Sequence, residues 1–316
     1  MYSFQNSIAV FSSDKIINFR KGFINGIIEK SANSKNISVI DYNEQNKSLI
    51  NSLNSDSICI FSTNTTKINF VPSYFFVIDE SEIHLQKTNI ETNNSIIRKI
   101  WLSNGEFSLA PNRIKLIKNK WFIKEAASAI ILAGGQSSRM GYINKSLLKI
   151  NGIPMIQFIA QQLENHFDEI IIGANEPELY PFLPYRIIPD LAKGQGPLMG
   201  ILSCLKASNS SLNFITACDI PVINTNLIHY MFSFASGFDI VMPKDNNNKT
   251  EPLFAVYSKN NIEFAEKVIN ENKRKIVEIL QFANTKFIDF DDNLWYKNLN
   301  TNNDYLEFIQ ENIIKK

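Results

Sequence analysis

The sequence predicts an α/β protein in which a mostly parallel sheet, covered by helices, follows a smaller α/β domain. Two observations lead to this fold class. Short apolar runs alternate with helical patterns through the second half of the chain, which is typical of βαβ units. Several of these runs stop at glycine, proline or asparagine, residues that turn the chain. Because 316 residues exceed one typical domain, we predict two, covering residues 1–125 and 126–316.

The elements of the second domain follow from the spacing of apolar residues. Strands are predicted at residues 129–132, 169–173, 185–189, 212–218, 239–242 and 253–257, and helices at 154–163, 197–205, 262–269 and 305–313. Parallel strands end at one edge of their sheet, where ligands of such folds bind. The loops after Leu132, Gly173, Pro189 and Cys218 are therefore expected to converge on a ligand site.

The first domain carries less information about function. Strands are predicted at residues 7–11, 37–40 and 58–61, helices at 19–29 and 46–53, and further strand-like segments at 75–78 and 113–123. The loop after the first strand has no glycine before Gly22 and no Gly-Lys-Ser/Thr triplet, so it lacks the chemistry of a phosphate loop. We predict a folded α/β module without assigning it a role.

Composition excludes several classes of protein. The formal charge is +1, which gives no reason to expect a nucleic-acid partner or an anionic membrane surface. The three cysteines have neither metal-ligand spacing nor an even disulfide framework, as in proteins of a reducing cytoplasm. Neither a signal peptide nor an apolar run long enough to span a membrane is recognisable. We therefore expect a cytoplasmic protein that binds neither membrane nor nucleic acid.

The glycine-rich run at residues 132–145, LAGGQSSRMGYINK, carries the clearest chemistry. Gly134 and Gly135 have no Cβ, so the backbone can turn sharply and approach a ligand closely. Successive N–H groups in such a turn bind anions. Arg139 offers a planar fork to phosphate oxygens and Lys145 a compact charge. The run therefore predicts a triphosphate site, whereas a glycine pair alone would indicate only a turn between a strand and a helix.

The complete string L-A-G-G-x-S-x-R-M-G-x3-K resembles the signature of the molybdenum cofactor guanylyltransferase (MobA) family. Further motifs of that family follow in order: LKINGIP at 148–154, Asp190 with GQGPLMG at 194–200, ACDIP at 217–221, EPLFAVY at 251–257 and NLNT at 298–301. The resemblance covers residues 127–315 and says nothing about residues 1–125. It implies a Rossmann-like nucleotidyltransferase domain.

The resemblance implies a reaction and its partners. GMP would pass from GTP to molybdopterin or the molybdenum cofactor, giving the guanine dinucleotide form and pyrophosphate. Proteins that mature molybdoenzymes are a further class of partner that it suggests. Two alternatives stay open. One is a cytidylyltransferase or another nucleotidyltransferase with a different acceptor, against which Gly134 speaks because related enzymes tend to carry Leu-Ala-Ala-Gly. The other is a nucleotide-binding module without catalysis.

Residue roles are carried over from the matching motifs. Lys145, Arg139 and Asp219 are predicted to be catalytic. Asp219 is predicted to hold Mg²⁺, which prefers hard oxygen ligands, although an aspartate before Pro221 could also serve only the turn. The predicted nucleotide-binding residues are Leu132, Ala133, Gly134, Gly135, Ser137, Lys145, Asn175, Asp190, Gly196 and Asp219. Asn298, Asn300 and Thr301 are predicted to bind the pterin.

Three positions depart from the family pattern. Asn144 stands where the family usually has aspartate, Gly173 where it often has serine, and Asn302 where a proline follows the threonine. The first removes a negative charge beside Lys145, and the second removes a hydroxyl. The three histidines have no spacing or acidic partner that suggests a catalytic dyad, so structural roles are predicted for them.

Overall fold

The computed structural model describes residues 2–12, 17–29, 37–42, 59–63, 70–79, 96–103, 106–107, 109–117, 120–133, 144–245, 248–289 and 298–314. The chain divides into two compact units, Met1–Glu125 and Ala126–Lys316. Two predicted features lie outside the described residues, namely the helix at 46–53 and most of the glycine-rich loop, residues 134–143. Among the helices described, none has the length and apolar character needed to cross a membrane.

The first unit contains a six-stranded sheet. Its described elements are β1 (Tyr2–Ser12), α1 (Ile17–Glu29), β2 (Ser38–Tyr42), β3 (Cys59–Thr63), β4 (Phe70–Asp79), β5 (Ile96–Ser103), β6 (Glu106–Phe107), β7 (Ile114–Ile117) and β8 (Lys120–Ile123). The strand order is β2-β3-β1-β4-β5-β6. The first five strands of that order are parallel, and β6 is antiparallel to β5. Strands β7 and β8 form a separate hairpin.

Helix α1 packs on this sheet through one stripe of its surface. Phe23, Ile24 and Ile27 recur at helical spacing and are buried. They join Ile8 of β1 and Ile60 of β3 in one apolar cluster, to which the hairpin also contributes. Burial of this stripe stabilises a helix whose intrinsic propensity is lowered by two interior glycines.

The second unit is built around a seven-stranded sheet. Its strands are β9 (Glu125–Leu132), β12 (Phe167–Gly173), β13 (Arg186–Ile188), β14 (Leu212–Ala217), β15 (Ile240–Lys244), β16 (Phe254–Ser258) and β17 (Thr285–Asp289). A two-stranded ribbon is formed by β10 (Lys149–Ile150) and β11 (Ile153–Pro154). The helices are α2 (Met155–Leu163), α3 (Pro197–Ala207), α4 (Thr225–Phe232), α5 (Asn261–Asn270) and α6 (Asn302–Ile314).

The order of the large sheet is β13-β12-β9-β14-β16-β15-β17. Three pairs of strands are parallel: β12 with β13, β9 with β14, and β15 with β17. Strand β16 is antiparallel to both of its neighbours. Successive residues of β9 face opposite sides: Ile131 joins the cluster that contains α2, α4 and α6, and Ile130 joins the cluster that contains α3 and α5. Helices therefore cover both faces, and the predicted α/β class is confirmed.

A polar cluster occupies the edge of the sheet where β9 and β12 begin. The Glu169 carboxylate accepts hydrogen bonds from Ser128 Oγ (3.0 Å), from an Arg186 guanidinium nitrogen (2.6 Å) and from the Asn209 backbone N–H (3.3 Å). Burial alone would raise the pKa of Glu169, but these donors together hold its pKa below the ordinary value. The cluster thus stabilises the folded state through an ionised carboxylate.

We expect Glu169→Gln to lower the free energy of unfolding by about 1–2 kcal/mol at pH 7, because charge-assisted hydrogen bonds are lost. Because the pKa of Glu169 is lower in the folded state, its carboxylate stabilises the fold fully at pH values above the unfolded pKa of 4.5. This stabilisation is lost as the pH falls through the folded-state pKa. Urea unfolding at pH 7 and below pH 4 should therefore show a difference from wild type that shrinks in acid. The exposed Glu176→Gln is the control, and a difference independent of pH would contradict the assignment.

Candidate active site

Two central strands, β14 and β16, bring acidic residues to the edge of the large sheet at which β9 ends. Ala217 at the end of β14 lies beside Leu132 at the end of β9, and the Cys218 N–H donates to the Leu132 carbonyl (3.0 Å). Because β16 is antiparallel to β14, its first residue, Phe254, lies at the same edge. Asp219 follows β14 and Glu251 precedes β16, so the topology places both carboxylates where ligands of such sheets bind.

The Lys145 side chain reaches the segment before α6. Its ammonium donates to the Leu299 carbonyl (2.8 Å), and the Leu299 N–H in turn donates to the Asp219 backbone carbonyl (2.8 Å). Three segments far apart in sequence thereby meet at one point, 154 residues separating Lys145 from Leu299. The structure therefore brings together two of the predicted catalytic residues, Lys145 and Asp219.

The electrostatics of this point favour a bound cation. Burial raises the pKa of Asp219, and the Lys145 charge offsets only part of that effect. Burial also raises the pKa of Glu251, with the Asp219 charge adding to it, while the Leu253 N–H, Lys249 and the Asn298 side chain oppose it. Glu251 is buried and Asp219 is half-buried. Two such carboxylates that repel one another are stabilised in their ionised form by a positive ion.

Asn298 contributes a further oxygen to this environment. Its side chain interacts with the Glu251 carboxylate, which accepts a hydrogen bond from it. Within the part of the chain that the structure describes, Asn298 Oδ1 is buried and has no hydrogen-bond partner. An unpartnered buried carbonyl oxygen is costly unless a donor or a cation occupies the space before it. Glu251 is the first residue of the EPLFAVY motif, but it had no predicted role, because only the fold brings it beside Asp219.

Asn175 and Asp190 form a reciprocal pair. Asn175 Nδ2 donates to Asp190 Oδ2 (2.8 Å), and the Asp190 N–H donates to Asn175 Oδ1 (2.9 Å). The Asn175 side chain therefore orients Asp190 through these two hydrogen bonds. A Cβ on Gly200 would lie 3.3 Å from Asp190 Oδ1, so a glycine there keeps room beside the carboxylate. Nucleotide contacts by these residues stay predictions.

The turn before α3 depends on two glycines. Gly194 and Gly196 have φ values of 75° and 78°, in the left-handed region that side-chain-bearing residues rarely adopt. Gly196 is followed by Pro197 in the first turn of α3, whose fixed φ suits that position. The glycines are therefore explained by backbone conformation, and a nucleotide contact at Gly196 is an additional prediction.

Gly173 has a packing reason in this chain. A Cβ there would lie 2.6 Å from a Leu132 methyl carbon and 2.9 Å from Cys204 Sγ, so a serine would force both neighbours to move. The Gly173 carbonyl accepts the Ala133 N–H (2.8 Å). That hydrogen bond holds the ends of β9 and β12 together. It also occupies the backbone N–H of Ala133, a residue that was predicted to bind the nucleotide.

Thr301 begins helix α6 with a reciprocal cap. Its Oγ1 accepts the Asp304 N–H (3.2 Å), and Asp304 Oδ2 accepts the N–H groups of Thr301 (2.8 Å) and Asn300 (2.9 Å). This is the capping-box arrangement with an aspartate at its third helical position. The cap holds in place the segment that carries Asn298 and Leu299. Pterin contacts by Asn300 and Thr301 stay predictions.

Several predicted residues have no described position. The loop residues assigned to phosphate binding and catalysis lie outside the described part of the chain: Gly134, Gly135, Ser137 and Arg139. By contrast, a pair that the sequence did not reveal is described. His166 Nδ1 and His229 Nε2 lie 3.0 Å apart with both rings buried. His166 directly precedes β12, at the opposite end of that strand from Gly173, so this pair is structural.

Comparison with known proteins identifies the class. The model of the MobA-like NTP transferase domain matches residues 129–285. The chain is 38% identical over 151 residues to the "Probable molybdenum cofactor guanylyltransferase" of Clostridium perfringens strain SM101, covering 48% of this chain and 75% of that protein. It is 32% identical over 187 residues to the same-named protein of Carboxydothermus hydrogenoformans, covering 57% and 93%.

One solved structure supports the fold. "Molybdopterin-guanine dinucleotide biosynthesis protein A" from Archaeoglobus fulgidus superposes with a TM-score of 0.52 at 23% identity, covering 60% of this chain and all of that one. The fold, the site at the sheet edge and these similarities define the second unit as a nucleotidyltransferase. More specifically, the chain belongs to the MobA-like NTP transferase family. The resemblance seen in the sequence is thereby confirmed.

Proposed function

We propose that this chain transfers GMP from GTP to molybdopterin or the molybdenum cofactor and releases pyrophosphate. The observation that carries the proposal is the meeting of Lys145 and Asp219 at the carboxyl edge of the sheet, linked through both backbone groups of Leu299. The names of the relatives support guanine as the base and the molybdenum cofactor as the product. The glycine-rich run supports a triphosphate site beside this point.

The reaction needs positioning and charge neutralisation more than covalent help from the protein. A terminal phosphate oxygen of the pterin attacks the α-phosphorus of GTP in line. A new P–O bond forms, and the bond between the α-phosphorus and the oxygen bridging to the β-phosphate breaks, so that pyrophosphate departs with its electron pair. Lys145, together with Arg139, stabilises the charge that develops on the α-phosphate and the leaving group.

Mg²⁺ fits the residues present. Asp219, Glu251 and the unpartnered Oδ1 of Asn298 are hard oxygen donors. The pKa values of both carboxyl groups are raised, because the nearby donors and lysines offset only part of the effect of burial. No cluster of three or more acidic, histidine or cysteine ligands occurs among the described residues, in keeping with an ion that takes further ligands from water and phosphate. When bound, the ion would neutralise phosphate oxygens. Asp219 would hold it directly.

A competition assay tests the choice of base. The full chain is incubated with Mg²⁺, molybdopterin and equal concentrations of GTP and CTP, and the dinucleotide products are separated and quantified. We expect the guanine dinucleotide to exceed the cytosine dinucleotide by at least about 10²-fold, since buried polar groups matched to one base reject another strongly. A predominantly cytosine product would replace this proposal with cytidylyl transfer.

A further inference from the structure

Lys145 is flanked by two residues that are tied to one buried tyrosine. Tyr180, which is only 2% exposed, lies at the end of a short turn that follows β12. Its hydroxyl lies 2.9 Å from Ser146 Oγ and accepts a hydrogen bond from Asn144 Nδ2 (3.1 Å). Asn144 Oδ1 accepts from both Ser146 Oγ (2.6 Å) and the Ser146 N–H (3.1 Å). The three side chains thus form one connected cluster.

The protons of this cluster can be assigned by counting donors. Ser146 has one hydroxyl proton, and it is given to Asn144 Oδ1. The Tyr180 hydroxyl must therefore be the donor across the 2.9 Å contact to Ser146 Oγ. The result is a closed ring in which the amide donates to the tyrosine, the tyrosine to the serine and the serine back to the amide. An aspartate at this position would be an ionised carboxylate with no proton to donate to the tyrosine. The ring therefore closes only because the residue is Asn144.

The ring fixes the backbone on both sides of Lys145. Asn144 caps the short helical turn Lys145–Leu147, and the Leu148 N–H donates to the Lys145 carbonyl (3.1 Å). Ser146 is fully buried, so the turn cannot shift without breaking hydrogen bonds in a dry environment. From this fixed backbone the lysine side chain extends to the Leu299 carbonyl beside Asp219.

We infer that the Asn144–Ser146–Tyr180 ring positions Lys145 for nucleotidyl transfer, and that Tyr180 is a positioning residue of the enzyme although it lies in the core. The inference rests on the proposed function in so far as Lys145 acts on the phosphates of GTP. A small displacement of a group that stabilises transition-state charge lowers turnover steeply. Loss of the ring should therefore act through Lys145 and through no other residue.

The test uses Tyr180→Phe and Ser146→Ala in the full chain, each alone and combined with Lys145→Ala. Ser146→Ala is included because exchanging a small buried side chain endangers folding least. Turnover is followed by pyrophosphate release from GTP with molybdopterin. We expect Tyr180→Phe to lower kcat by about 10-fold in the wild-type background and by less than about 2-fold once Lys145 is absent. Tyr185→Phe, which loses a hydroxyl bonded to Glu164, is the matched control and should keep the wild-type kcat.

A second readout does not depend on catalysis. The rate at which an amine-reactive N-hydroxysuccinimide ester labels Lys145 is measured by peptide mass spectrometry, with Lys149 as internal reference. Tyr180→Phe and Ser146→Ala should speed labelling of Lys145 several-fold, and Tyr185→Phe should not. Faster labelling in a chain that releases no pyrophosphate would support the positioning role and reject the proposed function. Unchanged labelling, or equal losses of kcat with and without Lys145, would overturn the inference.

Discussion

Lys145→Ala is expected to lower kcat for pyrophosphate release by at least about 10²-fold. The ammonium lies beside Asp219 at the carboxyl edge of the sheet, where it can meet the phosphates of a bound nucleotide. Removing one fixed donor from developing negative charge typically costs this much, because water cannot replace it in a closed site. Steady-state kinetics with GTP, Mg²⁺ and molybdopterin measure the loss.

The control for this variant is Lys149→Ala. Lys149 is an exposed lysine four residues further on, so its removal changes the charge of the same segment without touching the Leu299 carbonyl. It should keep a kcat within about 2-fold of wild type, as expected for a screened surface charge. Lys145→Ala with turnover similar to that of Lys149→Ala would remove the lysine from the mechanism.

Asp219→Asn is expected to lower kcat by a comparable or larger factor, about 10²–10³-fold, and to raise the Mg²⁺ concentration needed for half-maximal turnover. The amide keeps the shape of the side chain and loses the negative charge that holds the ion. Chelation of divalent ions with EDTA should abolish wild-type activity, and added Mg²⁺ should restore it. Folding should survive the exchange, because the charged form of Asp219 is already penalised by burial.

Asp289→Asn serves as the control for charge. Asp289 is 85% exposed at the end of β17, where it contacts only the Lys244 ammonium among the interactions described. It should change neither kcat nor the Mg²⁺ requirement. Should Asp219→Asn retain wild-type kinetics at every Mg²⁺ concentration, the carboxylate would serve only the turn before Pro221.

Much of the second unit could be predicted from the sequence because its strands are buried and apolar. The predicted helix at 197–205 and strand at 212–218 correspond to α3 and β14 within two residues. Helix α4 was missed, since His229, Tyr230 and the flanking asparagines weaken its pattern. Strand β17 was missed too: it is a short edge strand, and its five residues, TKFID, include a lysine and an aspartate and only one buried residue. The antiparallel direction of β16 depends on connections that local patterns do not encode.

The site was predictable only where a motif named it. Asp219 and Lys145 stand in recognisable strings, and the fold brings them together. Glu251 stands in the EPLFAVY string and Tyr180 in none of the motifs. The neighbours of both lie more than 30 residues away, so the sequence assigned neither of them a role. Asn144 looked like the loss of a charge in the sequence. In the structure its amide supplies a donor that closes a buried ring, a role that depends entirely on where Tyr180 lies.

The most direct test of guanylyl transfer is the reaction itself. The full chain, GTP, Mg²⁺ and molybdopterin are combined, and pyrophosphate and the dinucleotide product are quantified together. Guanylyl transfer should give equal amounts of the two products, formed only when acceptor and GTP are both present. Tight GTP binding without pyrophosphate release would contradict it and would leave a nucleotide-binding module without catalysis.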